Sequence, residues 1–190
     1  MAERLKIAAI AGSLREGSYN KMLLREAERL APSEMEFTTL EIGDLPLFNE
    51  DVERDAFPEE ATRLKRGLAD ADGLLIATPE YNYGVPGVLK NAIDWASRPP
   101  GDSPFDDLPV AIIGASQGMG GTARAQLSLR DAFVFTKSPV LPGPEVLVAR
   151  ASDQFDENGR LTSEATEDFV RDLLERFEAF VRRWAREPAY

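Results

Sequence analysis

The stretch GSLREGSYN, residues 12–20, concentrates hydroxyl groups, an amide and one arginine between an apolar run and a helical pattern. A helix N-terminus presents unpaired backbone N–H groups and a partial positive charge, which together attract a phosphate. Ser13, Ser18 and Asn20 add donors, and Arg15 adds a full positive charge. The pattern is neither Walker A nor G-x-G-x-x-G, which disfavours ATP and Rossmann-type dinucleotides. This first loop predicts a phosphate site, and a capped helix after a glycine turn is the alternative.

Two further loops have the composition of a binding site. The second loop, PEYNYGVPG at 79–87, combines two prolines, two tyrosines and two glycines. Prolines stiffen a loop and glycines let its backbone approach a ligand, while aromatic side chains suit the face of a flat ring. The alternative is a structural turn with tyrosines at the rim of the core. The third loop, ASQGMGG at 115–121, is small enough to pass beside the same ligand.

The absences in the composition restrict the chemistry. The 190 residues include no Cys and no His, which excludes thiolate nucleophiles, Ser-His catalysis and metal sites built on sulfur or imidazole. An enzyme with this composition relies on carboxylates, an oxygen-bound metal or a cofactor. The net charge of −11 repels nucleic acids and anionic membranes, so neither is an expected partner. No run is apolar enough to span a bilayer and no signal peptide is recognised, which favours a cytoplasmic protein.

Short apolar runs and amphipathic helical patterns alternate along the chain. The apolar runs predict five strands, at 5–11, 35–42, 72–79, 108–116 and 142–149. The patterns between them predict five helices, at 20–30, 58–70, 85–97, 121–135 and 162–186, the first capped by Ser18. The segments 45–51 and 152–160 are expected to be loops.

Alternating strands and helices predict an α/β fold with a parallel sheet between two helical layers. Five strands favour the flavodoxin-like three-layer sandwich, in the order 2-1-3-4-5, over a six-stranded dinucleotide fold. Residues 1–190 are expected to form one domain. Ligands of such sheets bind beyond the carboxyl ends of the strands, at the switch point between strands 1 and 3. The three loops follow strands 1, 3 and 4, so they are expected to meet there.

The first loop and the segment PEYNYGVPGVLKNAIDW, residues 79–95, resemble the NADPH-dependent FMN reductases, whose relatives include chromate-, quinone- and azo-reducing flavoenzymes. The resemblance extends over roughly residues 5–150. It implies FMN as the cofactor, with its phosphate in the first loop and its ring between the second and third loops. By this resemblance the residues that bind FMN are Ser13, Arg15, Ser18, Tyr19, Asn20, Pro79, Glu80, Tyr81, Asn82, Tyr83, Ser116 and Gly118.

The same resemblance implies that NADPH or NADH reduces the flavin and that a small acceptor then takes the electrons. Quinones, free flavin, azo compounds and chromate all suit such a site. Backbone N–H groups can stabilise a reduced flavin without an acid-base side chain, so no catalytic residue and no metal ligand is predicted. Glu80 is expected to have a structural or ring-edge role rather than to transfer a proton.

Two other functions are compatible with the sequence. A flavodoxin-type carrier would bind FMN without oxidising NAD(P)H, although the first loop lacks the T-x-T-G-x-T form of such carriers. A binding module for another phosphorylated ligand would have no redox role. The resemblance also implies a homodimer or homotetramer, in which Arg124 and Glu145 could lie at the interface. Pairing of these two side chains within one chain is the alternative.

Overall fold

A single parallel sheet organises the fold, and the computed structural model describes residues 4–186. The strands are β1 (Leu5–Ala11), β2 (Met35–Thr39), β3 (Gly73–Ala77), β4 (Val110–Ala115) and β5 (Val146–Val148). All neighbouring strands are parallel, and their order is β2-β1-β3-β4-β5. The flavodoxin-like order predicted from the sequence is therefore confirmed.

Helices cover both faces of the sheet. They are α1 (Tyr19–Leu30), α2 (Glu50–Asp55), α3 (Glu59–Ala69), α4 (Gly87–Ala96), α5 (Ala123–Phe135), α6 (Ala151–Gln154) and α7 (Glu164–Arg186). Leu23 of α1 and Phe177 of α7 belong to the apolar cluster on one face. Leu64 of α3, Ile93 of α4 and Phe133 of α5 belong to the cluster on the other. Strands buried on both sides explain the continuous apolar runs in the sequence.

The structure departs from the predicted elements mainly at their ends. The fifth strand begins at Val146, not at residue 142, because Pro142 and Pro144 have no N–H to donate to the ladder. Helices α2 and α6 were not predicted, and each overlaps a segment that was expected to be a loop. Helix α2 is capped by Asn49, whose side chain accepts a hydrogen bond from the Asp51 N–H at 2.9 Å.

The first helix begins where the sequence predicts. The Ser18 hydroxyl accepts a hydrogen bond from the backbone N–H of Asn20 at 3.2 Å, which confirms Ser18 as the N-cap of α1. This cap fixes the direction in which the first loop leaves β1. Within residues 4–186, no helix combines the length and apolar composition needed to cross a membrane.

Candidate functional site

The three loops meet at the carboxyl ends of β1, β3 and β4 and enclose a cleft of about 840 Å³. This volume lies within the range of small-molecule sites, roughly 300–1,000 Å³. We call it the three-loop cleft. It is lined by all the residues predicted to bind the cofactor, namely Ser13, Arg15, Ser18, Tyr19, Asn20, Pro79, Glu80, Tyr81, Asn82, Tyr83, Ser116 and Gly118. The structure therefore brings these residues together, and their roles as FMN ligands stay a prediction.

At one end of the cleft the first loop presents a run of free backbone donors. Within the described part of the chain, the N–H groups from Ser13 to Ser18 donate no hydrogen bond, whereas those of Gly12 and Asn20 do. Ser13 and Ser18 are each only 2% exposed. Consecutive unpaired donors at a helix N-terminus match the needs of a bound phosphate.

Arg15 is positioned by aromatic rings. Its guanidinium carbon lies 5.3 Å from the centroid of the Tyr19 ring, which stacks on Phe155 at 5.9 Å. No carboxylate among residues 4–186 pairs with Arg15. The arginine therefore retains its donors for an anionic ligand, and Tyr19 acts as the platform that supports it.

Asn20 joins the first loop to the third. Its Nδ2 donates to the carbonyl oxygen of Ala115 at 2.9 Å, and its Oδ1 accepts from the N–H of Ala115 at the same distance. The side chain is 2% exposed, so these two bonds satisfy a buried amide. One Nδ2 hydrogen remains for a ligand. Asn20 holds two walls of the cleft at a fixed separation.

The second loop forms a two-residue hairpin turn at the other end of the cleft. Tyr81 and Gly84 exchange backbone hydrogen bonds at 3.2 and 3.0 Å, and the central residues Asn82 and Tyr83 have φ values of 51° and 65°. Positive φ at both central positions is the type I′ arrangement. The N–H groups of these two central residues are unpaired within the described chain. The turn thus offers two fixed donors to the edge of a ring.

The first and second loops are also in direct contact. The hydroxyl groups of Ser13 and Tyr81 lie 3.3 Å apart, within hydrogen-bonding distance. Tyr81 is 51% exposed and Tyr83 is 72% exposed, so both rings remain accessible to a ligand. The contact sets the spacing between the phosphate end of the cleft and its aromatic end.

Glu80 is a structural residue in this arrangement. Its Oε2 accepts hydrogen bonds from the backbone N–H groups of Arg124 at 2.9 Å and Ala125 at 3.1 Å. Thr122 stands at the N-cap position of α5 but makes no side-chain cap bond, so Glu80 supplies the cap from another loop. Among the described residues that line the cleft, Glu80 is the one carboxylate. The cap agrees with the structural role expected for it.

The third loop completes the cleft on its far side. Ser116 donates a side-chain hydrogen bond to the carbonyl of Gly121, which holds the loop in a tight curve. The sequence interpretation selected only Ser116 and Gly118 from this loop, but the cleft is also lined by Ala115, Gln117, Met119, Gly120, Gly121 and Arg124. For Arg124 the sequence left a subunit interface and pairing within one chain open, and here its guanidinium pairs with Glu80 and lies 4.0 Å from the centroid of the Tyr83 ring. The small residues of the third loop were the sequence feature from which its other lining residues could have been predicted.

A second cleft, of about 970 Å³, lies between α2, α3 and the segment 98–104. Its charged side chains are largely paired with each other. Lys65 bonds with Asp102 at 2.7 Å, and Arg98 bonds with Glu53 at 2.9 Å. The second cleft is larger, but it lacks the run of free backbone donors found in the first loop. We therefore place the functional site in the three-loop cleft.

The chain is similar to proteins of a known reductase family. Residues 5–153 match the family model described as NADPH-dependent FMN reductase. The chain belongs to that family. It is 46% identical to an NAD(P)H-dependent FMN reductase of Pseudomonas aeruginosa, over 96% of this chain and 98% of that protein. It is also 46% identical to a 2-hydroxy-1,4-benzoquinone reductase of a Burkholderia species, over 94% of this chain and 97% of the other.

A solved structure gives the same result. The flavoenzyme NAD(P)H:(acceptor) oxidoreductase of Paracoccus denitrificans superposes with a TM-score of 0.87 at 36% identity, covering 94% of this chain and 98% of its own. Family membership confirms the prediction of an NAD(P)H-dependent, FMN-containing oxidoreductase and favours it over the electron-carrier alternative.

Proposed function

We propose that this reductase binds FMN in the three-loop cleft and passes electrons from NAD(P)H to a quinone. The observation that carries the proposal is the pairing of two unlike ends in one cleft. The first loop supplies free N–H groups and an unpaired arginine, and the second supplies a rigid turn with exposed tyrosines. FMN has a phosphate at one end and a flat ring system at the other, so its chemistry matches both.

The residues of the first loop fit the phosphate. The free N–H groups between Ser13 and Ser18 donate to its oxygens, and Arg15 supplies charge-assisted hydrogen bonds. The hydroxyl of Ser13 adds a further donor. Since the whole chain has a net charge of −11, this local excess of donors and positive charge offsets an otherwise unfavourable field for an anion.

The other two loops fit the ring. The unpaired N–H groups of Asn82 and Tyr83 donate to polar atoms at the ring edge, while Pro79 and Tyr81 contact its apolar surface. Ser116 and Gly118 border the opposite side. When bound, FMN supplies the redox chemistry by accepting a hydride from the nicotinamide and releasing electrons to the acceptor. The chain itself orients the ring and limits the access of water to it. Its fixed backbone N–H dipoles stabilise negative charge on the ring.

A quinone is the proposed acceptor because relatives with 46% and 40% identity to this chain are quinone reductases. Such planar acceptors suit a cleft whose mouth carries the exposed side chains of Tyr83 and Met119, each 72% exposed. Among the described residues that line the cleft, the one acidic side chain, Glu80, is engaged with α5 and is not free to protonate the product. Protons therefore come from solvent at the open mouth of the cleft.

Steady-state turnover tests the proposal. The FMN-loaded protein is mixed with NADPH, and separately with NADH, in the presence of p-benzoquinone, and nicotinamide absorbance is followed. Oxidation that depends on both FMN and quinone is the expected result. FMN binding without nicotinamide oxidation would instead identify an electron carrier, and no FMN binding would identify a module for another phosphorylated ligand.

We also propose a homodimer or homotetramer in the cytoplasm, where NAD(P)H is available. Support for the oligomer comes from the apolar residues left at the surface of α5, since Val134 is 78% exposed and Phe135 is 87% exposed. Light scattering after size exclusion is expected to give two or four times the chain mass of 21.0 kDa. A monomer at micromolar concentration would contradict the oligomer and leave the cleft assignment intact.

A further inference from the structure

Arg150 has an unusual backbone conformation beside the cleft. Its φ and ψ are 48° and 50°, in the left-handed region that residues other than glycine rarely adopt. Neighbouring hydrogen bonds hold it there. The Arg150 N–H donates to the carbonyl of Gly118 at 3.2 Å, and the Ala151 N–H donates to the carbonyl of Ser116 at 2.9 Å. Arg150 is thereby fastened to the third loop.

The side chain of Arg150 contacts a residue that lines the three-loop cleft. Its Nε is 3.0 Å from the sulfur of Met119, a residue that lines the cleft. The arginine is exposed, and no carboxylate in the part of the chain that the structure describes forms an ion pair with it. In this acidic protein, Arg29, Arg98 and Arg160 are all paired. A guanidinium without an ion pair therefore lies next to the lining of the cleft.

The two arginines that line the cleft, Arg15 and Arg124, have surroundings of their own. Arg15 belongs to the phosphate end of the first loop, beside Tyr19. Arg124 pairs with Glu80 at 3.3 Å and lies over the Tyr83 ring. Among the described residues, Arg150 is therefore an exposed cation beside the cleft that remains available to a second anionic ligand.

Resting on the proposed function, we propose that Arg150 binds the 2′-phosphate of NADPH and so makes the enzyme prefer NADPH to NADH. The two nucleotides differ only in this phosphate, and a guanidinium can donate two parallel hydrogen bonds to it. With its nicotinamide inside the cleft, NADPH would extend its adenosine end, which carries the 2′-phosphate, out of the cleft.

The test compares three variants of the FMN-loaded enzyme. Arg150→Gly removes the side chain and suits the positive φ, so the fold is expected to be retained. Arg150→Lys keeps the charge without the planar fork. Arg66→Gln is the matched control, because Arg66 is also exposed, forms no ion pair among residues 4–186 and lines the second cleft.

The ratio of kcat/KM for NADPH to that for NADH is expected to fall roughly 10- to 100-fold in Arg150→Gly, mainly through a higher KM for NADPH. Arg150→Lys is expected to recover part of the ratio, and Arg66→Gln to keep it. Calorimetry gives a second readout that needs no turnover. Adenosine 2′,5′-bisphosphate is expected to bind the native protein more tightly than adenosine 5′-phosphate, and the difference is expected to disappear in Arg150→Gly.

An unchanged nucleotide ratio in Arg150→Gly would overturn the inference, as would a native enzyme that does not distinguish NADPH from NADH. Failure of the proposed function has a different signature. In that case neither nucleotide would be oxidised by the native protein, whatever residue occupies position 150.

Discussion

Glu80 caps the helix that begins with Ala123 by accepting a hydrogen bond from the backbone N–H of Arg124 at 2.9 Å. The same carboxylate lies 3.3 Å from the Arg124 guanidinium, which in turn lies over the Tyr83 ring. The two residues are 44 positions apart, so this contact joins the second loop to the end of the third. The shape of the cleft at its aromatic end depends on that joint.

Removal of the joint is expected to weaken the protein and the cleft together. Glu80→Ala leaves two N–H groups of α5 without an acceptor, and the free energy of unfolding is expected to fall by about 1–2 kcal/mol. Glu80→Gln keeps one acceptor oxygen and is expected to lose less. Thermal denaturation and FMN titration of both variants provide the measurement. If Glu80 instead transferred a proton, the pH profile of turnover would change its shape in Glu80→Gln.

The contact of Arg15 with the phosphate of FMN can be tested separately from the contacts with the flavin ring. Arg15→Gln removes charge-assisted hydrogen bonds to the phosphate, and the Kd for FMN is expected to rise about 10- to 100-fold. Riboflavin has the same ring but no phosphate, so its Kd is expected to respond much less to this substitution. Quenching of flavin fluorescence measures both constants. Equal effects on FMN and riboflavin would show that Arg15 contacts the ring or acts through the fold.

Close packing beneath the third loop makes Gly114 intolerant of a side chain. A Cβ at this position would lie 1.9 Å from the Thr122 hydroxyl and 2.5 Å from the carbonyl oxygen of Thr78. Gly114→Ala is therefore expected to lower the free energy of unfolding by about 3 kcal/mol. Gly87→Ala is the matched control, since nothing lies within 4 Å of its added Cβ. Urea denaturation is expected to place that control within about 1 kcal/mol of the native protein.

A buried carboxylate, Glu26, makes the stability of the fold depend on pH. Glu26 is 1% exposed and accepts hydrogen bonds from Arg29, Arg160 and the N–H of Leu161. Burial is the largest influence and raises the pKa of Glu26, but these hydrogen bonds together outweigh it. The net pKa therefore lies below the ordinary glutamate value.

Because the pKa of Glu26 is lower in the folded protein than in the unfolded chain, Glu26 stabilises the fold at every pH at which it is ionised in both. The contribution is complete above the unfolded pKa of about 4.3 and is lost as the pH falls through the lower folded value. Glu26→Gln is expected to be less stable than the native protein by about 1–3 kcal/mol at pH 7. Denaturation midpoints measured from pH 7 to pH 3 are expected to converge for the two proteins. A constant difference over that range would contradict the account.

Local chemistry explains which features the sequence predicted. The Ser18 cap and the free donors of the first loop depend on residues close together in the chain. The sheet order followed from the alternation of apolar runs with amphipathic helices, which leaves few topologies for five parallel strands. The location of the cleft then followed from the switch point of the sheet.

Contacts between distant residues could not be read from the sequence. The amide of Asn20 was interpreted as a phosphate donor, but it also bonds to the backbone of Ala115, 95 positions away. Arg150 had no pattern to single it out, because its position depends on the left-handed backbone and on hydrogen bonds to the third loop. Capping of α5 by Glu80 could not be predicted either, because the sequence around α5 does not indicate that its N-terminal N–H groups bond to a carboxylate from another loop.

The central claim is that the three-loop cleft holds FMN where NAD(P)H can reduce it. The most direct measurement is an anaerobic titration of the flavin-free protein with FMN, followed by addition of NADPH while the visible flavin absorbance is recorded. The account predicts binding of one FMN per chain and then loss of the flavin absorbance band. Binding without bleaching by either NADPH or NADH, or the absence of FMN binding, would contradict it.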